Sequence, residues 1–300
     1  MQLIIKRPDN WPKLHKDDLV SFICPSSGLN EGNLIKIKEL VGSWGFNVDC
    51  NDLENFNDGQ IYLAASDEKR FANLQRALKS EAQAIFALRG GYGSGRLARN
   101  LISQGVGKEK LLIGFSDLTS LHLVFNVCFG FSSLHAPTLQ QIVENRVDEN
   151  SAEFLFDVLT GSVEQMEYEI KAVNNLARNI KNELKLPKLI GGNLSLIEAA
   201  IGTPWGVENA GEFCLLIEEV AEKGYRIDRA LDHLINAGCL DKCQAIFIGD
   251  VGQDDDVGEA LSLFADSVDL AIFRINDIGH SRANRAIALG CCAVVKKDIV

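Results

Sequence analysis

The sequence contains no run of about 18 apolar residues, so it offers no helix able to cross a bilayer. It is also short of positive charge: 30 Lys and Arg stand against 41 Asp and Glu, a net charge of −11 with histidine neutral. A nucleic-acid binder needs a basic stripe to displace counterions, and an anionic membrane surface attracts basic segments. Neither nucleic acid nor membrane is therefore an expected partner. Low-complexity tracts and repeats of solenoid period are missing as well. The opening MQLIIKRPDNWPKLHKDD lacks the long apolar core and small-residue cleavage site of a secretory signal, which sets the cytoplasm as the expected compartment. What is present is 300 residues, 46% hydrophobic and 24% charged, enough for one or two domains with cores of their own.

Eight cysteines fall mostly inside apolar strings such as FIC, FNVC and EFCLLIE, where buried free thiols of a reducing compartment belong. Zinc would want paired CxxC or CxxH spacing. Cys239 and Cys243 stand four apart with no second pair nearby. Cys291 and Cys292 are adjacent and point to opposite faces of a strand. No metal site is expected.

The first 145 residues alternate strand and helix signals. DLVSFICPSS, FNVDCN, AQAIFALR and KLLIGF read as short buried strands. GNLIKIKELVGSWGF, SDEKRFANLQRALKS and LTSLHLVFNVCFG between and after them carry helical spacing. Such alternation predicts a parallel sheet covered on both faces, with chemistry at the carboxyl ends of its strands. Residues 146–188 turn polar, with a helix near 150–160 and a crossing segment of weak strands. From Leu189 a mixed α/β region follows: LIGGNLSLIEAAIGTPW as turn, helix and stop, then strands in FCLLIEEV, CQAIFIGDVG, LAIFRINDIG and CCAVV. The expected division is 1–145, a linker over 146–188, and 189–300.

Two loops at strand ends stand out. In GFSD, a serine at a sharp strand-to-helix turn is the setting that exposes a nucleophile, here Ser116. Leu118 replaces the second glycine of the hydrolase G-x-S-x-G, and these residues alone favour Ser116 and Asp117 as helix caps. In RGGYG, the glycines around Gly91 allow close approach, and their N–H groups can form an anion-binding concavity. No GK[ST] follows, and Arg96 stands where a dinucleotide fingerprint wants a small residue. Phosphate binding, oxyanion support and a structural turn all remain open for this loop.

Five histidines can be weighed singly. His15 and His233 read as solvated, His122 packs or lines the site, and loops after strands favour His280 or His135 as a base for Ser116. In LLIEEV, Glu218 and Glu219 must face opposite sides of a strand. One is expected in solvent. The other, if directed inward, needs a partner such as an imidazole N–H. Paired carboxylates for glycoside cleavage stay possible on composition alone.

Taken together, CPSS at 24–27, LAASDEKRFANLQRAL at 63–78, ALRGGYGSGRL at 87–97 and IGFSDLTSLH at 113–122 resemble the LD-carboxypeptidase family. The likeness continues through HAP at 135–137, GGNLSLIEAAIGTPW at 191–205, LLIEEVAEKGYRIDRALDHLINAG at 215–238 and IGH at 278–280. This serine peptidase family includes murein tetrapeptide carboxypeptidases and microcin C self-immunity peptidases. The resemblance implies a flavodoxin-like N-terminal domain bearing Ser116 as nucleophile. It also implies a swivelling, barrel-like C-terminal domain bearing Glu218 as the acid and His280 as the base. Backbone N–H groups of Gly91 and Asp117 are then the expected oxyanion donors, with Arg89 and Tyr92 as substrate contacts. The implied reaction releases a terminal D-residue from a small peptide, needs no metal or organic cofactor, and runs in an enzyme that is often a homodimer. Murein recycling is favoured over the immunity branch, which would cleave a peptidyl-nucleotide amide. A non-catalytic anion binder and a serine hydrolase of another substrate class are the rivals from outside the family.

Overall fold

The structure is a computed structural model and describes residues 1–53, 56–58, 60–252 and 254–297. In chain order the strands are β1 (Gln2–Lys6), β2 (Leu19–Ile23), β3 (Asn47–Asp49), β4 (Ala84–Ala87), β5 (Leu111–Gly114) and β6 (Ser133–His135). They continue as β7 (Gln165–Ala172), β8 (Glu183–Asn193), β9 (Phe213–Glu218), β10 (Cys243–Ile248), β11 (Ala271–Ile275), β12 (Ile287–Leu289) and β13 (Cys291–Lys296). They form two sheets. In the first, β3, β2, β4, β5 and β6 run parallel in that order, and β12 adds antiparallel to β6. Counted from β2 the parallel order is 2-1-3-4-5, the flavodoxin-like winding. Its strands are buried on both faces and so read as apolar runs: Phe22, Phe86 and Ile113 pack to one side, Ile23, Ile85 and Leu112 to the other.

The second sheet closes as a barrel, β1-β13-β8-β9-β10-β11-β7. From β8 to β11 neighbouring strands are parallel, and the remaining pairs are antiparallel. Leu3, Met166, Leu216, Phe247 and Phe273 belong to one core layer, with Phe247 and Phe273 stacked at 5.2 Å. Leu215, Ile217, Ile246 and Ile272 pack instead with the helices Gly224–Asn236 and Asp255–Ser267. Among the described residues no helix is long and apolar enough to cross a membrane.

Sheet membership does not follow the expected division at 145 and 189. The N-terminal stretch forms β1, buried at Leu3 and Ile5 and paired on both sides in the barrel. The supposedly weak segment forms β7, whose side chains alternate between buried and exposed along eight residues. Ile287–Leu289 leaves the barrel to join the parallel sheet. Each of these pairings is made with a partner distant in sequence, which local periodicity does not encode.

LIGGN is not a turn but the end of β8, and Asn193 caps the helix Leu194–Ala199 by accepting from Leu196 N. Its glycines are there for space. Gly191 has φ +126°, and a Cβ would run into the carbonyl oxygen of Leu216. At Gly192, φ +135°, it would strike Thr119, whose hydroxyl accepts from Asn193 N at 2.9 Å and so ties the two sheets together.

Gly191→Ala is expected to lower the unfolding free energy by roughly 2–6 kcal/mol, strain and overpacking together. Gly202→Ala is the control, since φ is +78° there but nothing lies within 4 Å, and it should cost only about 1–3 kcal/mol of strain. Urea unfolding of both variants checks the difference.

Candidate active site

The carboxyl ends of both sheets converge. β5 ends at Gly114, where a Cβ would lie 3.1 Å from the Ala87 Cβ and closer to the Leu118 side chain. The chain then passes the buried Phe115 and turns at Ser116, whose φ of +62° is left-handed in a residue that rarely adopts it. Strain of this kind collects at functional turns. Ser116 is half-buried and opens the turn Ser116–Leu118 that leads into the helix Thr119–Leu123.

On the barrel side, β9 delivers Glu218, fully buried, and the loop after β11 delivers His280, its side chain 16% exposed. His280 Nδ1 lies 2.7 Å from Glu218 Oε2. Two glycines let the loops beside the pair pack closely: a Cβ on Gly279 would stand 2.9 Å from the Asp250 Cβ, and one on Gly249 2.7 Å from the Ile278 carbonyl oxygen. The Phe115 ring, one residue from Ser116, packs 4.7 Å from the His280 ring and so brings the serine turn against the pair.

The electrostatics follow from burial and pairing. Burial alone would raise the Glu218 carboxyl, but the imidazoles of His135 and His280 outweigh it and hold the group well below the usual carboxylate range. Burial likewise opposes the His280 imidazolium. The hydrogen bond and charge of Glu218, with Glu219 and Asp250 behind, overcome it and raise the histidine above its ordinary 6.5. Burial pushes His122 down to about 3, so it stays neutral. Its Nε2–H donates to Gly114 O and its Nδ1 accepts from the Ser133 hydroxyl, both at 2.8 Å, which makes it a strut beneath the serine turn.

Glu219, expected in solvent as one of the two neighbours, is buried as well. Its carboxylate accepts from Asn193 Nδ2, Ser195 N and Ser195 Oγ at 2.6–2.9 Å, so it sits over the first turn of the helix Leu194–Ala199. Asp117 is also buried. Its Oδ2 accepts from Ser26 Oγ at 2.5 Å and Ser94 N at 2.8 Å, joining the loops after β2 and β4 to the serine turn. These two loops flank the point where the strand order reverses, the place where open α/β sheets bind ligands.

In the glycine loop, Gly90 is the residue that abuts the serine: a Cβ there would lie 3.1 Å from both Cβ and Oγ of Ser116. Gly91 has φ +115°, and its own Cβ position is filled by Ser27. Gly90 O accepts from Ser27 N at 3.3 Å, and across a trans peptide this turns the Gly91 N–H the opposite way. Arg89 is exposed and donates to Gly28 O at 2.7 Å, and Tyr92 is exposed against Tyr62 at 5.9 Å.

Sequence reasoning missed Arg70. It looks like a surface residue of SDEKRF, yet it is fully buried and binds the carbonyls of Ala65, Pro25 and Gly93, with Asp67 at 2.5 Å. A cavity of about 570 Å³ lies elsewhere, between the helix Asp255–Ser267 and Val173–Arg178.

Comparison with known proteins adds a family. The profile of the LD-carboxypeptidase N-terminal domain matches residues 20–136, and that of the C-terminal domain residues 187–295. A Rickettsia conorii protein carrying a provisional carboxypeptidase name is 34% identical over 277 residues, 91% of this chain and 86% of its own. A murein tetrapeptide carboxypeptidase of Pseudomonas aeruginosa is 27% identical, over 78% of this chain and 80% of its own. The crystal structure of a muramoyltetrapeptide carboxypeptidase from Oxalobacter formigenes shares the fold, with a TM-score of 0.74 at 21% identity, covering 93% of this chain and 99% of that one.

Replacing Asp117 by alanine leaves the buried Ser94 N–H and Ser26 hydroxyl without their acceptor. A loss of about 1–3 kcal/mol is expected. Hydrogen exchange should show it as faster exchange concentrated in residues 24–28 and 89–95.

Proposed function

The chain belongs to the LD-carboxypeptidase family, and on that premise we propose that it is a serine carboxypeptidase releasing D-alanine from a murein tetrapeptide. The observation that carries the reading is the buried Glu218–His280 pair at 2.7 Å, with Phe115 packing the strained Ser116 turn against it. His280 takes the Ser116 proton as Oγ attacks the carbonyl of the L-centre, then returns it to the departing amine of D-alanine. Water, activated by the same imidazole, then cleaves the acyl-enzyme. Glu218 fixes the ring's tautomer and stabilises its charged form. The N–H groups of Gly91 and Asp117 receive the oxyanion, each typically worth about 2.7–4 kcal/mol in the barrier. Arg89, at the mouth of the glycine loop, is the group for the substrate's terminal carboxylate, with Tyr92 beside it. The mechanism calls for no metal or organic cofactor. Buried free thiols at Cys24, Cys50, Cys214, Cys239 and Cys243 support a reducing compartment and hence cytoplasmic recycling. We carry the homodimer over from the family resemblance, to be tested by sedimentation.

The deciding assay is D-alanine release from L-Ala-γ-D-Glu-meso-diaminopimelyl-D-Ala. Wild type should release it, and Ser116→Ala should lose roughly 10⁴–10⁶-fold in kcat. A folded wild type inert on this peptide but active on a peptidyl-nucleotide amide would move the protein to the immunity branch. Undiminished release by the variant would remove Ser116 as nucleophile.

The raised His280 also fixes a pH dependence. Only the neutral imidazole is a base, so the acidic limb of kcat/KM should lie above 6.5. In Glu218→Gln it should move down, because the partner charge is gone. The stability contributed by the pair has two limits: it is complete between the ordinary values of about 4.5 and 6.5, is lost as pH rises through the raised His280 value, and is lost as pH falls from about 4.5 through the lowered Glu218 value.

A further inference from the structure

Glu218 has two oxygens, and His280 occupies one. The other, Oε1, is fully buried and makes no hydrogen bond. Facing it is His135, the last residue of β6 in the other sheet, also fully buried, with both ring nitrogens unpaired. The distance from His135 Nε2 to Glu218 Oε1 is 4.0 Å. A movement of about 1 Å brings the two into hydrogen-bond range. A bare carboxylate oxygen and a bare imidazole, buried face to face, each lack what the other supplies.

The backbone of His135 is not free to drift. It lies in register with Gly114 on β5 and with Ile287 on β12. Its ring is held edge-on to Phe115 at 5.5 Å, with His122 at 6.4 Å. The strand that supplies His135 is thus bonded to the strand that supplies Ser116, while Glu218 arrives from the barrel.

We propose that His135 is a positioning residue: its Nε2–H holds Oε1 of Glu218 and fixes the carboxylate's rotation, so that Oε2 stays on His280. The inference rests on the reading of Ser116, Glu218 and His280 as a triad, and extends it to a fourth side chain that touches no substrate. The charged and titratable groups around this cluster are Glu219 and Asp250 beside Glu218 and His280, and His122 beside His135. His122 is bonded at both nitrogens, so it cannot take the role.

Without the His135 N–H the carboxylate becomes the stronger base and pulls harder on the His280 proton. In His135→Leu the titration midpoint of His280, read by NMR in the full chain without substrate, should rise by about 0.5–1 unit. With murein tetrapeptide, kcat should fall about 10–100-fold while KM stays within about twofold, as for loss of an orienting partner. His135→Gln, which keeps an N–H near the Nε2 position, should restore most of both. An unmoved His280 midpoint in folded His135→Leu would overturn the proposal. Wild type supplies a check that no folding defect can spoil: nitrogen-15 shifts should report His135 as the Nε2–H tautomer, and Nδ1–H alone would also overturn it. Should wild type release no D-alanine, the tautomer and the midpoint still decide the His135–Glu218 contact, and only the murein-peptide reading falls.

Discussion

A carboxylate with no access to water is the constraint around which this molecule is arranged. An isolated buried charge is costly, and it stays ionised only where donors and opposite charge surround it. Glu218 meets that condition through His280 at 2.7 Å, on a backbone that glycines at 249 and 279 allow to come close. The strand that carries it sits in the barrel, and the serine turn sits on the parallel sheet. Joining them requires the two sheets to meet end to end, and the Thr119–Asn193 bond with Gly192 of β8 gives that contact its closeness.

Around this pair, other buried ionic groups shape the neighbouring loops. Asp117 gathers the loops after β2 and β4 onto the serine turn, and Arg70 binds the carbonyls of Pro25 and Gly93 in the same loops and that of Ala65 before its own helix. Glu219, one residue past Glu218, is spent on a helix N-terminus. Adjacent acids therefore take opposite duties, one facing the imidazole and one a set of backbone and side-chain donors.

Much of this was legible in the sequence, and the boundary of legibility is physical. Strands of the parallel sheet are buried on both faces, so each reads as an apolar run, and the loops that empty from them drew notice to Ser116 and the glycines, although the local residues alone favoured Ser116 as a helix cap. A loop histidine after a strand was legible as either His280 or His135, and only the family resemblance chose between them. Glu218 became more than a strand-end acid only through the family resemblance. What stayed hidden depends on partners far along the chain. Leu3 and Ile5 need β7 and β13 to become barrel residues, Gly191 needs the Leu216 carbonyl to reveal why it is glycine, and Arg70 on its helix looks solvated until the loops close over it. Glu219 was misjudged because a helix cap can replace water for a carboxylate.

The seam between β1 and β13 joins residues 2–5 to residues 293–296. The five parallel strands, by contrast, all fall between Leu19 and His135 and find one another locally. As the chain leaves the ribosome, the parallel sheet can pair while the first strand waits for β7, about 160 residues on, and for β13, nearly 290 residues on. Ser116 is therefore in place early, and Glu218 and His280 reach it only once the barrel has shut. A half-made chain carries the strained serine turn with His122 and His135 beside it but without the Glu218–His280 pair, which arrives only with the barrel.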